Sequence, residues 1–578
     1  MRFVLGSTMK LMMVTAIMFG SISFGLAGPQ DEVRYNEVFD ENGQVRPSYQ
    51  KILPAWASRV HHMTDYERKT YLEIKRGNLD SNAINDLPRM IMKSEYDVIE
   101  KGVHQRERAI QAFLKDHYSG TKAYAKRGIV SEALVNEIII RNGEDGYRNV
   151  IDVNTPMNFL YGPDLIRGPD GVMRALEDNI GFVGGFGDIV IAQEITERLY
   201  PEIKVHYRYP KAIEWYRQLL TRYSQQAEKF GGKVVMYSDP NITDDSEDKR
   251  TNELFEKLGV EVITPTSERR LVFEAGGVYA QGPKGEGREK VGFIVQNIEH
   301  ADGDLAHPAA LEKAILDAAA GFIADKKGRV SKKLRGDVLE ALMSYDPVHG
   351  DKTSQLANLK YLLRDTAYRV NLSEGSKRAK GLVDAILEGR VGSSYSPGAE
   401  FVGDKQMYTH IESFIRFYLN EEPIIKNVET YMFNVAGTQE VDEKVLDKVF
   451  GEDRKGRDLK NWVIKPVDGR GGDGIIFGAD VRPEQIPAII ERIKESPQRK
   501  QVQRNTPPSV MTANRIIDMR PLTYSTRESA IVTPVPWSRS ATADKSKLIN
   551  VSSGGAVNGV FIIRPKPGKC TELFSAAN

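Results

Sequence analysis

The chain has 578 residues, 40% hydrophobic and 28% charged, a balance that excludes an intrinsically disordered protein and gives length for roughly two to four domains with cores of their own. With 80 basic and 79 acidic residues the net charge is +1, so nothing favours nucleic acid or another polyanion as the main partner. Cys570 is the one cysteine, which excludes an intrachain disulfide.

In chain order, Arg2 and Lys10 precede an apolar run, Leu11 to Ala27, that ends in Gly25-Leu26-Ala27. A basic start, an apolar middle and small residues at the end predict a signal peptide over 1–27, hence export to the periplasm or medium and no stable membrane insertion after cleavage. Residues 28–130 read as mainly helical; "AIQAFLKDHYSG" places apolar residues at helical spacing. Over 131–204 short apolar runs alternate with Gly-Pro-Asp turns, the pattern of strands. Residues 205–304 read as α/β, with "KVVMYSD" a buried strand, "RTNELFEKLG" a helix stopped by glycine and "VEVITP" the next strand. Residues 305–390 are helical in composition, and 391–578 return to mixed α/β. The expected fold class is therefore mixed α+β and α/β.

One stretch in the last region carries chemistry. "VIKPVDGRGGDGIIFG" (463–478) leads from a strand through Lys465 into a loop rich in glycine and then into a second apolar run. Glycines let the backbone approach a ligand, and consecutive exposed N–H groups suit phosphate oxygens. No Gly-Lys-Ser/Thr follows, so this is not a Walker A loop, and no helix opens after it as a dinucleotide fingerprint requires. What remains is a strand–glycine loop–strand hairpin, suited to folding over a nucleotide or serving as an ordinary flexible hairpin.

A second stretch, "FLYGPDLIRGPDGVMRALEDNIG" (159–181), reads as a β-hairpin turning at Gly168-Pro169-Asp170-Gly171. If Arg167 pairs with Val172, Asp164 faces Ala175, and Asp164, Glu177 and Asn179 project from one face with Glu177 diagonal to Asp164. Three oxygen donors without His or Cys suit Mg²⁺; the other reading is solvated polar residues on an exposed face. The argument depends on register. "GFVGGFGD" (181–188) reads as a tight turn.

At these residues the chain resembles the circularly permuted ATP-grasp proteins, distant relatives of glutathionylspermidine synthetase. "YNEVFDENGQVRPSYQ" (35–50) resembles the family's opening, "PDLIRGPDGVMRALEDN" its metal-binding hairpin, and "GAEFVGDKQMYTHIESFIRFYLNEEPIIKNVETY" (398–431) its central segment. "VIKPVDGRGGDG" resembles its glycine loop, and "IIDMRPL" (516–522) and "INVSSGG" (549–555) its last strands. The resemblance implies a circularly permuted ATP-grasp fold: a metal-binding part in 131–204, an accessory α/β domain over 205–304, a helical insertion over 305–390 and an ATP-binding part over 391–578. It implies ATP held by Lys405, Lys465 and the loop glycines Gly469, Gly471 and Gly472, with Asn550 and Ser552 as weaker contacts. It implies Mg²⁺ on Asp164, Glu177 and Asn179, and Arg520 facing phosphate or an acyl phosphate.

The implied activity is ATP-dependent ligation of a small-molecule or peptide carboxylate to an amine through an acyl phosphate. The departures lie on the substrate side. Gly181, Gln296, Asn297 and Asn558 stand where the family tends to carry basic residues, and Gln503-Arg504 stands where a Gln-Glu pair is usual. They favour a different acceptor, or else a catalytically altered nucleotide-binding protein with a regulatory or structural role; a kinase-like phosphotransferase is a further expectation on the same fold.

Overall fold

The computed structural model describes residues 33–56, 83–84, 87–142, 144, 150–181, 183–238, 247–264, 267–297, 382–436, 438–467, 474–511, 515–542, 547–549 and 555–566. The expected signal peptide, nearly all of the expected helical insertion, and Gly469, Gly471, Gly472, Asn550 and Ser552 lie outside them. Five sheets run through the described chain. No described helix is long and apolar enough to cross a membrane.

The helical pattern early in the chain is concentrated in α1 (Lys93–Tyr118), whereas 33–52 consist of turns and isolated bridges. Ile99, Val103, Ile110, Phe113 and Leu114 form one buried stripe of α1, each contributing about 1.5–3 kcal/mol of burial. Phe113 stacks on Phe414 with ring centroids 4.5 Å apart. Arg106 lies in the same buried stripe and reaches the sheet beneath: it donates from Nε and Nη2 to Asp178 at 3.1 and 2.5 Å, and the Tyr161 hydroxyl donates to Asp178 at 2.6 Å.

Asp178 and Tyr161 belong to the central hairpin, β1 (Phe159–Arg167) and β2 (Met173–Gly181). Side chains alternate along a strand, so fixing Asp178 under α1 turns Glu177 and Asn179 to the opposite face. The turn forms at the expected residues: Gly171 N donates to Gly168 O, and Val172 N to Asp170 Oδ1. The register differs from the expected one. Arg167 pairs with Met173, and a β-bulge at Leu176 then sets Asp164 directly opposite Glu177. The bulge inserts one residue into β2, which advances the pairing by one and leaves the shared face intact.

The hairpin lies in a five-stranded sheet ordered Lys426–Asn427, β2, β1, Thr523–Ser525, Ala530–Val532. Just after Lys426–Asn427 the chain enters a second sheet, ordered Thr430–Met432, β4 (Lys500–Arg504), β3 (Trp462–Pro466), Ile476–Phe477. Ile464 and Val502 of this sheet pack on one apolar side with Leu446, Val449, Ile490 and Ile493. By alternation Lys465, Gln501 and Gln503 face the other side. The strand Ile476–Phe477 pairs antiparallel with β3 across the glycine-rich segment, as a strand–loop–strand hairpin requires. Lys233–Ser238, Glu261–Ile263, Arg270–Glu274, Gly277–Gln281, Glu289–Asn297 and Gly392–Ser393 form a mixed sheet of six strands, with Lys233–Ser238 and Glu289–Asn297 parallel at its centre.

Candidate functional site

The site lies where the hairpin face opposite α1 meets the polar face of the β3–β4 sheet. From the hairpin come Asp164, Glu177 and Asn179. Glu177 pairs with Lys405 Nζ at 3.2 Å. Lys405 opens a short helix whose N-cap, Asp404, is gripped by Arg141 through two N–H donors at 2.9 and 3.0 Å, which fixes the lysine's position. Asn179 donates its amide nitrogen to Gly162 O at 3.2 Å, leaving Oδ1 as the atom it offers to a ligand.

Lys465, only 7% exposed, enters from β3 and donates from Nζ to Gln503 Oε1 at 2.6 Å. Burial pushes its pKa down to about 8, with Glu177 and Asp164 opposing and Lys405 adding to the shift. Gln501, opposite Lys465 in register and 1% exposed, keeps a buried Oε1 with no hydrogen-bond partner. An unpartnered buried acceptor on the same face as a buried ammonium that is bonded to a neutral amide is the kind of polar face that a nucleotide completes.

Asp164 is held differently from its neighbours. Arg520 donates to both its oxygens, Nε to Oδ1 at 2.5 Å and Nη2 to Oδ2 at 2.9 Å, and Arg539 Nη2 donates to Oδ2 at 2.8 Å. Arg539 also pairs with Asp518, so two carboxylates and two guanidiniums form a buried, formally neutral quartet. The Trp537 ring lies 5.2 Å from the Arg520 guanidinium and 4.9 Å from that of Arg539, a cation–π support for both. Burial alone would raise the Asp164 carboxyl; Arg520, then Arg539, outweigh it and hold it well below the usual carboxylate range. Asp518 is pushed the other way by burial.

Arg520 reaches Asp164 by lying across Gly162, where a Cβ would come within 2.8 Å of its Cγ and 2.9 Å of its Cδ. Gly162→Ala should therefore dislodge the arginine and cost about 1–3 kcal/mol by overpacking, read as a lowered urea midpoint. Beside it residues 184–187 turn, and a helix opens directly after them at Asp188–Leu199. Gly185 adopts φ +106° against Trp537, and Gly185 N and Gly187 N both donate to Glu247 Oε1 at 2.6 and 3.2 Å. Burial, helped by nearby Asp188, pushes the Glu247 carboxyl up to about 8.

The structure thus brings Asp164, Glu177, Asn179, Lys405, Lys465 and Arg520 together. Sequence reasoning missed Arg539, Asp518 and Trp537, although Asp518 lies within "IIDMRPL"; Arg539 and Trp537 are in none of the family-like motifs and reach the hairpin from some 375 residues away in sequence. The departures have structural roles. Gln296 donates to Ser393 Oγ and Tyr395 O, Asn297 to Asp248 O and Asn252 Oδ1, and Asn558 to Ser538 Oγ. Gly181 adopts φ +96°, a backbone conformation that a side chain would strain.

The donors fit a hard dication in part. Glu177 and Asn179 Oδ1 share a face with Asp164 opposite, an oxygen-only set. Among the described residues no group of three or more His, Cys, Asp or Glu is arranged as a metal site; this set has two carboxylates and an amide, and the oxygens of Asp164 already accept from guanidiniums.

The sequence profile of the circularly permuted ATP-grasp type 2 family matches residues 88–329 and 363–541. An uncharacterized protein of Mycobacterium tuberculosis is 23% identical over 564 residues, covering 94% of this chain and 86% of its own length. A putative glutamate–cysteine ligase of Frankia alni is 26% identical over 551 residues, and the match covers 92% of this chain and 54% of that protein. A solved glutathione synthetase-like effector of Globodera pallida aligns with 86% of this chain and 96% of its own at 9% identity, with a TM-score of 0.46.

Proposed function

Because this chain belongs to the circularly permuted ATP-grasp type 2 family, we propose that it is an ATP- and Mg²⁺-dependent ligase joining a carboxylate to an amine through an acyl phosphate. The observation that carries the reading is the convergence of two lysines from separate elements, Lys405 and Lys465, on a hairpin face bearing three oxygen donors. The name of the Frankia relative, a putative glutamate–cysteine ligase, supports a small carboxylate and an amine as the substrate classes.

In this reading Lys465 and Lys405 bind the ATP phosphates, and Gln501 offers an acceptor on the same sheet face as Lys465. Glu177 and Asn179, with Asp164 opposite, would hold Mg²⁺, which supplies charge neutralisation at the phosphates. A carboxylate oxygen attacks the γ-phosphorus and ADP leaves; the amine nitrogen then attacks the acyl carbon, phosphate leaves, and the nitrogen gives up a proton. Preorganised cations are the protein's main contribution to both steps. Arg520, clamped on Asp164, acts through that carboxylate as a positioning residue.

One observation favours a second reading, nucleotide binding without ligation: both oxygens of Asp164 already accept from arginines. A phosphotransferase is the third outcome. Product analysis separates the three. Incubation with Mg²⁺-ATP, candidate carboxylates and amines should yield ADP, free phosphate and an amide; ADP with a stable phosphoester makes the protein a kinase, and bound but unconsumed ATP makes it a binding protein. Binding is tested first by thermal unfolding. Mg²⁺-ATP at about 100 times its Kd should add about 2.7 kcal/mol, a gain lost in Glu177→Ala. Export is proposed on the sequence of residues 1–27, and a cytosolic protein that retains Met1 would refute it.

A further inference from the structure

The β-bulge at Leu176 does more than realign the hairpin. It leaves Leu176 outside the ladder, and the Gln503 side chain donates from Nε2 to Leu176 O at 3.1 Å. The same amide nitrogen lies 3.0 Å from Thr430 Oγ1 and 3.5 Å from the Tyr408 hydroxyl, while its oxygen accepts from Lys465 Nζ at 2.6 Å. Gln503 is 2% exposed. One carboxamide therefore joins three things: the bulge that sets Glu177 opposite Asp164, the strand Thr430–Met432 at the edge of the second sheet, and the buried ammonium.

The geometry matters because a lysine side chain has four rotatable bonds and its ammonium has no preferred direction of its own. An acceptor that is itself fixed at both ends removes that freedom before a ligand arrives. Glutamine suits this position because its oxygen holds the cation without neutralising it, and its nitrogen is available to the hairpin carbonyl. A carboxylate in this place would pair with Lys465 and compete with phosphate.

We propose that Gln503 is a positioning residue that holds the Lys465 ammonium at a fixed place relative to the Asp164–Glu177 face by tying both to the Leu176 bulge. The proposal rests on the reading of Lys465 as a phosphate ligand, and the test separates the two. In full-length protein, Mg²⁺-ATP affinity is measured for wild type, Gln503→Met, Lys465→Met and the double variant. In parallel, the rate at which an amine-acylating reagent modifies Lys465 is followed by peptide mass spectrometry without nucleotide.

Gln503→Met should weaken Mg²⁺-ATP by about tenfold or more, the loss of one charge-assisted hydrogen bond. The double variant should bind as weakly as Lys465→Met alone, because the glutamine acts through the lysine. Lys465 labelling should rise several-fold in Gln503→Met and equally in Gln503→Leu, which is also uncharged and lacks both the acceptor and the donor; the latter comparison decides if Gln503→Met does not fold. Additive losses in the double variant, or labelling no faster in these variants than in wild type, would overturn the proposal. If wild type binds no nucleotide, the ligase reading fails, and labelling alone decides whether Gln503 holds the lysine.

Discussion

Asp164→Ala should destabilise the fold by about 3–5 kcal/mol, the range for breaking a buried ion pair by removing one partner. The reason is what stays behind. Arg520 and Arg539 are 7% and 8% exposed, and without Asp164 two guanidiniums share a single carboxylate, Asp518, in a site with little water. Asp164→Asn should cost less, since the amide oxygen still accepts from Arg520. Asp164→Ala combined with Arg520→Ala should recover part of the loss, a non-additivity expected of groups in one network. The pH dependence has a definite sign. The folded carboxyl of Asp164 lies below its unfolded value, so its contribution is complete above the unfolded pKa of about 3.9 and is lost as pH falls below it. Urea midpoints taken from pH 7 downward should fall more steeply for wild type than for Asp164→Ala. Equal slopes and a cost below about 1 kcal/mol would mean that the quartet contributes little to stability.

What was legible in the chain follows from the range of the interactions. The turn at 168–171 is local chemistry, and the stripe on α1 is local periodicity, so both could be read from the residues. The face shared by Asp164, Glu177 and Asn179 was also legible, because alternation along a strand is local. The register was not: the bulge at Leu176 has no glycine to announce it, and it is held by Gln503, 327 residues further along the chain. Arg539 was illegible for the same reason. Nothing near "PWSRSAT" marks that arginine as buried: Asp518 reaches it from the neighbouring strand, but Asp164 is brought to it only by packing across 375 residues of chain. Gln296, Asn297 and Gly181 could be seen as departures from a family pattern, but only the structure shows Gln296 pinning the 393–395 segment, Asn297 holding the helix at Asp248 and Asn252, and Gly181 in a left-handed backbone conformation.

Lys465→Met should move stability and ligand binding in opposite directions. Holding a lysine at about 8 instead of 10.5 costs the folded state about 3 kcal/mol at neutral pH, so methionine, similar in length and uncharged, should stabilise the ligand-free protein by about 1–3 kcal/mol. The sign follows from proton binding. Between about 8 and 10.5 the unfolded chain binds more protons at this position than the folded one, so wild-type stability should rise with pH across that window, and the variant should lack the rise. Below pH 8 the cost is present in full. Nucleotide binding reverses the balance, because a phosphate beside Nζ favours the ammonium over the amine. Mg²⁺-ATP should therefore bind with proton uptake near pH 8, visible by calorimetry in buffers of different ionisation enthalpy, and with affinity that declines as pH rises further. In Lys465→Met both the uptake and most of the affinity should vanish. Glu177, Asp164 and Lys405 are the charged groups that oppose or add to the burial shift, so Glu177→Gln should lower the pH at which affinity begins to decline, whereas Lys405→Met should raise it. A variant that gains stability and still binds nucleotide with an unchanged pH profile would remove Lys465 from the phosphate site and leave its burial without a functional cause.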